Sequence, residues 1–265
     1  MWVGQQLADG LDFWGFLGSL ILGGIILGIY TGLLGYVGAK TGLSLDLLSQ
    51  RAFGEKGSYL PSAMTSFTQI GWFGVGSFVS GGTATPNFAR FAKNGKAGAI
   101  TTVVAFFIGN SLMFFFGAVS SIFVGGNDIF EVMVRLNLFY LAVLVLGLNI
   151  WTTNDNALYT AGLGLANIFH QRKKPMVLLS GIIGTVASVW LYYNFCGWLN
   201  ILNCTLPPVG MILVLAYFMN KEDFETDQPK LKTIDWFAVA GVILGAIVAN
   251  LLHLSLIHIS EPTRR

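Results

Sequence analysis

Residues Gly147–Tyr159 read GLNIWTTNDNALY, and they interrupt a predominantly apolar run that continues to Phe169. Asn149, Thr152, Thr153, Asn154, Asp155 and Asn156 all fall within that interruption. Polar groups at membrane depth are costly unless they face a cavity, an ion or another helix. Two adjacent threonine hydroxyls are hard oxygen donors of the kind sodium takes, and an asparagine amide offers both donor and acceptor to a neutral heterocycle. Hydrogen bonding between helices, worth about 0.6 kcal/mol per group, accounts for one such residue. A cluster of six points instead to a cavity or an ion site. Asp155 is the carboxylate placed inside this run, a candidate for proton coupling or for an ion pair.

The sequence around this cluster is built for lipid. Of 265 residues, 54% are hydrophobic and 11% charged, more apolar than a soluble core requires. Charged residues are absent from Phe13 to Ala39, Gly57 to Ala89, Ala97 to Asn127, Leu136 to Asn154 and Pro175 to Asn220. A spanning helix needs about 20 such residues. The last run holds two spans with a turn near Asn194 to Trp198, and another apolar run extends from Trp236 to Leu252. The expectation is an all-α integral membrane protein with about seven helical segments. Its aromatic content of 14% suits helix ends at the headgroup level. The net charge of +2 carries no sign of a nucleic-acid partner. Before the first apolar run no basic segment of a cleavable signal peptide is present.

Lys and Arg mark the cytoplasmic side of a membrane protein. Arg135, beside Asp128 and Glu131, reads as external; Arg90, Lys93 and Lys96, then Arg172, Lys173 and Lys174, and then Lys221, Lys230 and Lys232, read as internal. These alternate correctly. Lys40, Arg51 and Lys56 also read as internal, although a single apolar run separates them from Arg90. Either Gly57 to Ala89 forms a re-entrant hairpin, or an odd number of spans is missing there, or this one loop departs from a bias that is statistical. The run is long for one helix and short for two.

That run contains TQIGWFGVGSFVSGGTATPNFARF, Thr68 to Phe91, with Gln69, Trp72, Phe78 and Ser80 close to Gly81, Gly82 and Pro86. Gly-Gly and Pro break helices, and discontinuous helices expose backbone groups to substrates and ions in secondary transporters. Aromatic faces beside amides suit a flat polar ring. Gly24, Gly28 and Gly32, spaced by four and followed by Gly35 and Gly38, read as a ridge for close helix packing. Cys196 and Cys204 read as buried free thiols. His170, His253 and His258 have no metal spacing, and no GxSxG or HExxH motif is present, which argues against an enzyme and gives no cofactor beyond a coupling ion.

The strings LGIYTGLLGYVGAKTGL, TQIGWFGVG, GNSLMFFFGA, VLGLNIWTTNDNALYTAGLGLANI and GIIGTVASVWLYYNF resemble the cytosine permease branch of the nucleobase and cation symporters. The resemblance runs from about Trp2 to about Leu252. It implies a partial LeuT-type inverted-repeat fold in a bacterial inner membrane, and sodium-coupled uptake of cytosine by alternating access. By motif, Gln69 and Trp72 fall in the family's third helix, Phe78 and Ser80 in its sixth, and Asn149 in its eighth. The resemblance implies stacking by Trp72 and Phe78, hydrogen bonds to the pyrimidine from Gln69, Asn149 and Ser80, and sodium ligands at Thr152 and Thr153.

There are departures from the pattern. WFGVG resembles the third helix and VGSFVSGGT the sixth, yet they share Val75-Gly76, as though two half-helices had been joined and the helices between them lost. Met1-Trp2 resembles a point partway along the first helix. Residues 1–254 form one transporter domain, while SLIHISEPTRR, Ser255 to Arg265, does not resemble the family and reads like translated adapter sequence. A non-transporting fragment of such a permease is the alternative expectation. The sequence gives no oligomeric state.

Overall fold

The computed structural model describes residues 12–75, 83–124, 129–226, 229 and 231–260, with the backbone alone for Trp72, Asn149 and some other helical residues. The elements are α1 (Phe13–Thr41), α2 (Leu45–Phe53), α3 (Tyr59–Val75), α4 (Pro86–Ala89), α5 (Gly95–Val124) and α6 (Ile129–Arg135). They continue with α7 (Phe139–Phe169), α8 (Lys173–Tyr193), α9 (Phe195–Met219), α10 (Lys221–Glu225) and α11 (Trp236–Ser260). No strand occurs among the described residues. α1, α3, α5, α7, α8, α9 and α11 are the long helices, in agreement with the segments expected from hydropathy, and the turn between α8 and α9 falls at Asn194. Phe13–Thr41, Gly95–Val124, Lys173–Leu191 and Gly197–Met219 are long and apolar enough to cross a membrane. α11 runs past residue 254 as far as Ser260.

Local chemistry sets several helix ends. Asp12 accepts the amide of Gly15 at 3.1 Å to open α1, and Gly42, at φ 68°, closes it in the left-handed conformation that glycine tolerates. Ser44 caps α2 through the amide of Leu47.

The glycine ridge of α1 lies against α5, which runs antiparallel to it. A Cβ at Gly32 would sit 2.6 Å from Val103, and one at Gly35 would sit 2.5 Å from the Thr102 hydroxyl and 3.0 Å from the Gly98 carbonyl. The missing side chains permit this approach, where van der Waals contact and not water exclusion holds helices together. Leu34 and Val37 of α1 pack with Leu45, Leu48 and Phe53 of α2, and with Val209, Leu213 and Tyr217 of α9. A second cluster joins Ala157 of α7 to Leu191, Trp198, Leu202 and Leu206 on α8 and α9. Cys204 is buried and free.

The basic loops gather at one end. The amide of Glu55 donates to Lys232 O at 2.7 Å, and that of Asp235 donates to Phe53 O at 2.6 Å. Arg51 donates to the carbonyls of Asp223 and Thr226, Lys40 lies 3.7 Å from Glu225, and the rings of Tyr59 and His170 meet edge to face at 5.8 Å. Asn87 also reaches this end, where its Oδ1 accepts the Leu45 amide at 2.8 Å. Both ends of the uncharged run Gly57 to Ala89 therefore lie on one side. α3 rises about 25 Å from that side. On the return, the Thr83 hydroxyl bonds that of Tyr30 at 2.8 Å, a level about 16 Å along α1 from Thr41. The described parts of the run, up to Val75 and from Thr83 onward, thus begin and end on one side, in keeping with the basic residues at both flanks.

Candidate functional site

A cavity of about 630 Å³ lies between α3, the returning segment, α5 and α7. α7 contributes Thr153, Asn156, Ala157 and Thr160, spaced three, four and seven residues from the first, so they form one helix face. α5 contributes a face that includes Thr101, Thr102, Phe106, Asn110 and Met113. Gln69 enters from α3, while Thr85, Phe88, Ala89 and Ala92 close the remaining wall. None of these described lining residues is charged. Apolar walls with a few convergent polar groups suit a neutral ligand of this size class.

The polar groups differ in what they have left to offer. Thr102 donates its hydroxyl to Gly98 O at 2.6 Å, and Thr101 donates to Ala97 O at 2.8 Å, so both are engaged within α5. Thr160 is 2% exposed, and its hydroxyl has no partner among the described residues. A buried hydroxyl on a cavity wall is a position that a water or a ligand takes. Gln69 is 7% exposed and takes part in a polar interaction of its own.

Among the residues singled out in the sequence, Gln69 and Thr153 come together at the cavity. Thr152 does not join them: it is exposed, and its hydroxyl donates to Leu148 O at 3.0 Å. Adjacent residues on a helix point about 100° apart, so the two hydroxyls diverge. Asp155 is exposed and off the cavity face. Asn149 stands one turn before Thr153 on α7, and Trp72 one turn after Gln69 on α3; the backbone alone is described for both. Phe78, Ser80 and Gly76 of the junction lie outside the described residues.

Asn156 belongs to the polar cluster of α7 that the sequence marks, whereas Asn110 and Thr160 lie outside it. The helical period counted onward from Thr153 reaches Asn156 and Thr160, and Asn110 is an isolated amide in an apolar span. Those were the available signals.

Membrane-length helices around an uncharged, partly polar cavity are compatible with a permease for small molecules. This chain belongs to the family described as "Permease for cytosine/purines, uracil, thiamine, allantoin", whose sequence model matches residues 1–84 and 75–259. It is thus a multi-pass membrane transporter and not an enzyme. It is 36% identical to the cytosine permease of Escherichia coli strain K12, over 95% of this chain and 82% of that protein, and equally to the cytosine permease of E. coli O157:H7. The allantoin permease of Bacillus subtilis strain 168 is 34% identical over 31% of this chain and 16% of that protein. The alignment to the cytosine permeases extends over 343 residues, more than the 265 of the whole chain. Part of the aligned stretch in those relatives therefore has no counterpart here.

Proposed function

We propose that the cavity is a cytosine site and that the chain derives from a sodium-coupled symporter of a bacterial inner membrane, working by alternating access. The observation that carries this reading is the uncharged cavity onto which Gln69, Thr153, Asn156 and Thr160 converge, in a chain similar to cytosine permeases over 95% of its length. Amides and hydroxyls match the alternating donors and acceptors of a pyrimidine edge. In this reading Gln69, Asn149 and Ser80 bond the base, Trp72 and Phe78 stack on it, and Thr152 and Thr153 supply oxygens to sodium. Thr152 would have to turn toward Thr153 for both to bind one ion. Sodium and cytosine each favour the same outward-open state, so each strengthens the binding of the other.

A second reading is a chain that retains part of the site without transporting. It is favoured by the two-piece family match, whose pieces share residues 75–84, and by the relatives' longer aligned stretch. Joining two half-helices near Val75-Gly76 would leave α7 uncovered at Thr152 and Asp155, which are exposed.

Reconstitution in liposomes separates the two. Cytosine uptake that an inward sodium gradient stimulates supports the symporter. Cytosine binding that Gln69→Ala abolishes, without uptake, supports the second reading. Absence of both cytosine binding and uptake overturns the assignment of the site.

A further inference from the structure

The contact between α3 and α7 carries a polar seam that leads away from the cavity. On α3, Ser62 stands two turns before Gln69; on α7, Asn167 stands two turns after Thr160. Gln69 and Thr160 line the cavity, and Ser66 of α3 donates its hydroxyl to Ala161 O at 3.2 Å. At the far end the Asn167 amide donates to the hydroxyls of Ser62 at 2.9 Å and Ser58 at 3.1 Å, and its oxygen accepts the Gln50 amide at 2.6 Å. A Cβ at Gly164 would lie 2.8 Å from Ser62 O, so the missing side chain lets the two helices meet there.

This seam ends on a carboxylate. Asp46 of α2 is 5% exposed, its Oδ1 accepts the Ser62 hydroxyl at 2.6 Å, and no ion pair among the described residues involves it. Its neighbours satisfy two protonation states. Ionised, the carboxylate accepts from Ser62. Protonated, it donates along the same line: Ser62 Oγ has a lone pair beside the one Asn167 uses, and the serine proton turns to the Ser58 carbonyl one turn back. No heavy atom has to move. Of the elements packed on α2, α3 and α9 carry no charged residue. On α10, Glu225 faces Lys40 and Tyr217, while Lys221, Glu222 and Asp223 are exposed. Asp235, before α11, pairs with Lys232; His170, after α7, meets Tyr59; and Asp155 of α7 lies three turns from Asn167. Arg51 of α2 turns to the carbonyls of Asp223 and Thr226, and Arg90 is the cation whose field reaches Asp46.

We propose that Asp46 is a proton-binding site linked to the cavity through the seam between α3 and α7, so that a proton on Asp46 and a ligand in the cavity alter each other's binding. A buried carboxylate without a cation holds its charge at a cost that one proton removes. Burial outweighs the Ser62 bond and Arg90 and raises this carboxyl to about 6, so the proton exchanges near neutral pH. The linkage follows from shared helices. A ligand held between Gln69 and Thr160 sets the spacing of the two helices whose other ends the Asn167–Ser62 bond joins at Asp46, and such coupling is reciprocal. Asp155, the carboxylate singled out in the sequence, is exposed and off the cavity face. The linkage rests on the proposed function in placing cytosine in the cavity; the proton site does not.

The test has two readouts on the full chain in liposomes. Infrared difference spectra titrated from about pH 4 to 8 follow the carboxylic C=O band without any substrate. A band with its midpoint near 6 is expected in the parent and in Asp155→Asn, and is expected to be absent in Asp46→Asn. Ser62→Ala keeps the carboxyl but removes the bond that favours its ionised form, so the midpoint is expected to rise by about one pH unit. Calorimetry of cytosine binding at about pH 6, in two buffers of different ionisation enthalpy, then counts protons exchanged. The parent is expected to exchange a fraction of a proton that Asp46→Asn does not; titration of cytosine itself is common to both. A parent band that Asp46→Asn leaves in place, or a midpoint that Ser62→Ala leaves unmoved, would overturn the proton site. Equal proton counts in the parent and Asp46→Asn would overturn the linkage. Absence of cytosine binding with the band intact would sink the cavity assignment, and the linkage with it, while the proton site stands.

Discussion

The backbone amide of Leu45 donates to the side-chain oxygen of Asn87 at 2.8 Å, across 42 residues of sequence. This bond ties the entry of α2 to the returning segment and holds both ends of the uncharged run on one side. Asn87 is fully buried. Asn87→Ala leaves a buried amide without its acceptor and is expected to cost about 1–3 kcal/mol. Denaturant unfolding of the detergent-solubilised chain measures it; an unchanged midpoint would show that water replaces the amide oxygen.

The α1–α5 contact predicts opposite outcomes for two glycines of one helix. Gly23 has open space where a side chain would go, so Gly23→Ala is expected to be neutral or to stabilise α1 by up to about 1 kcal/mol. Gly35→Ala drives its methyl into Thr102 and the Gly98 backbone, with an expected loss of about 1–3 kcal/mol. Thermal stability of the two variants in one detergent compares them directly.

Asp46 predicts a pH dependence. Burial raises its carboxyl from the usual 3.8 to about 6, opposed by the Ser62 hydrogen bond and more weakly by Arg90. Between those values the folded chain holds a proton that the unfolded chain has released. The contribution is therefore complete below pH 4 and is lost as pH rises through 6, by up to about 3 kcal/mol. Unfolding midpoints measured from pH 4 to 7 are expected to fall in the parent and to flatten in Asp46→Asn.

Cavity geometry separates Gln69 and Thr160 from Asp155. Gln69→Ala is expected to weaken cytosine binding at least about tenfold, the equivalent of 1.4 kcal/mol. Thr160→Val removes a hydroxyl that has no partner among the described residues, so stability is expected to hold or rise by about 1 kcal/mol while cytosine binding weakens. Asp155→Asn, off the cavity face, is expected to leave cytosine affinity unchanged. Titration calorimetry with cytosine distinguishes them, and an Asp155→Asn variant that loses binding would place that carboxylate in the site.

Sequence by itself determined the helical class, the long helices, the turn at Asn194, the packing ridge from Gly24 to Gly35 and the polar break at Gly147–Tyr159. Each depends on a local property, apolar length or helical spacing, which lipid and backbone geometry convert directly into structure. The charge pattern also required Lys40 and Arg90 to share a side. Tertiary structure alone decided which edge of α7 meets the cavity. Thr152 and Thr153 are neighbours in sequence with equal chemistry, yet packing of α7 against α3 and α8 turns Thr153 inward and leaves Thr152 outside. The same holds for Asp46, Ser62 and Asn167. Three helices, α2, α3 and α7, bring these polar groups together, and no spacing along the chain encodes that meeting, because it depends on long-range contacts between helices already formed.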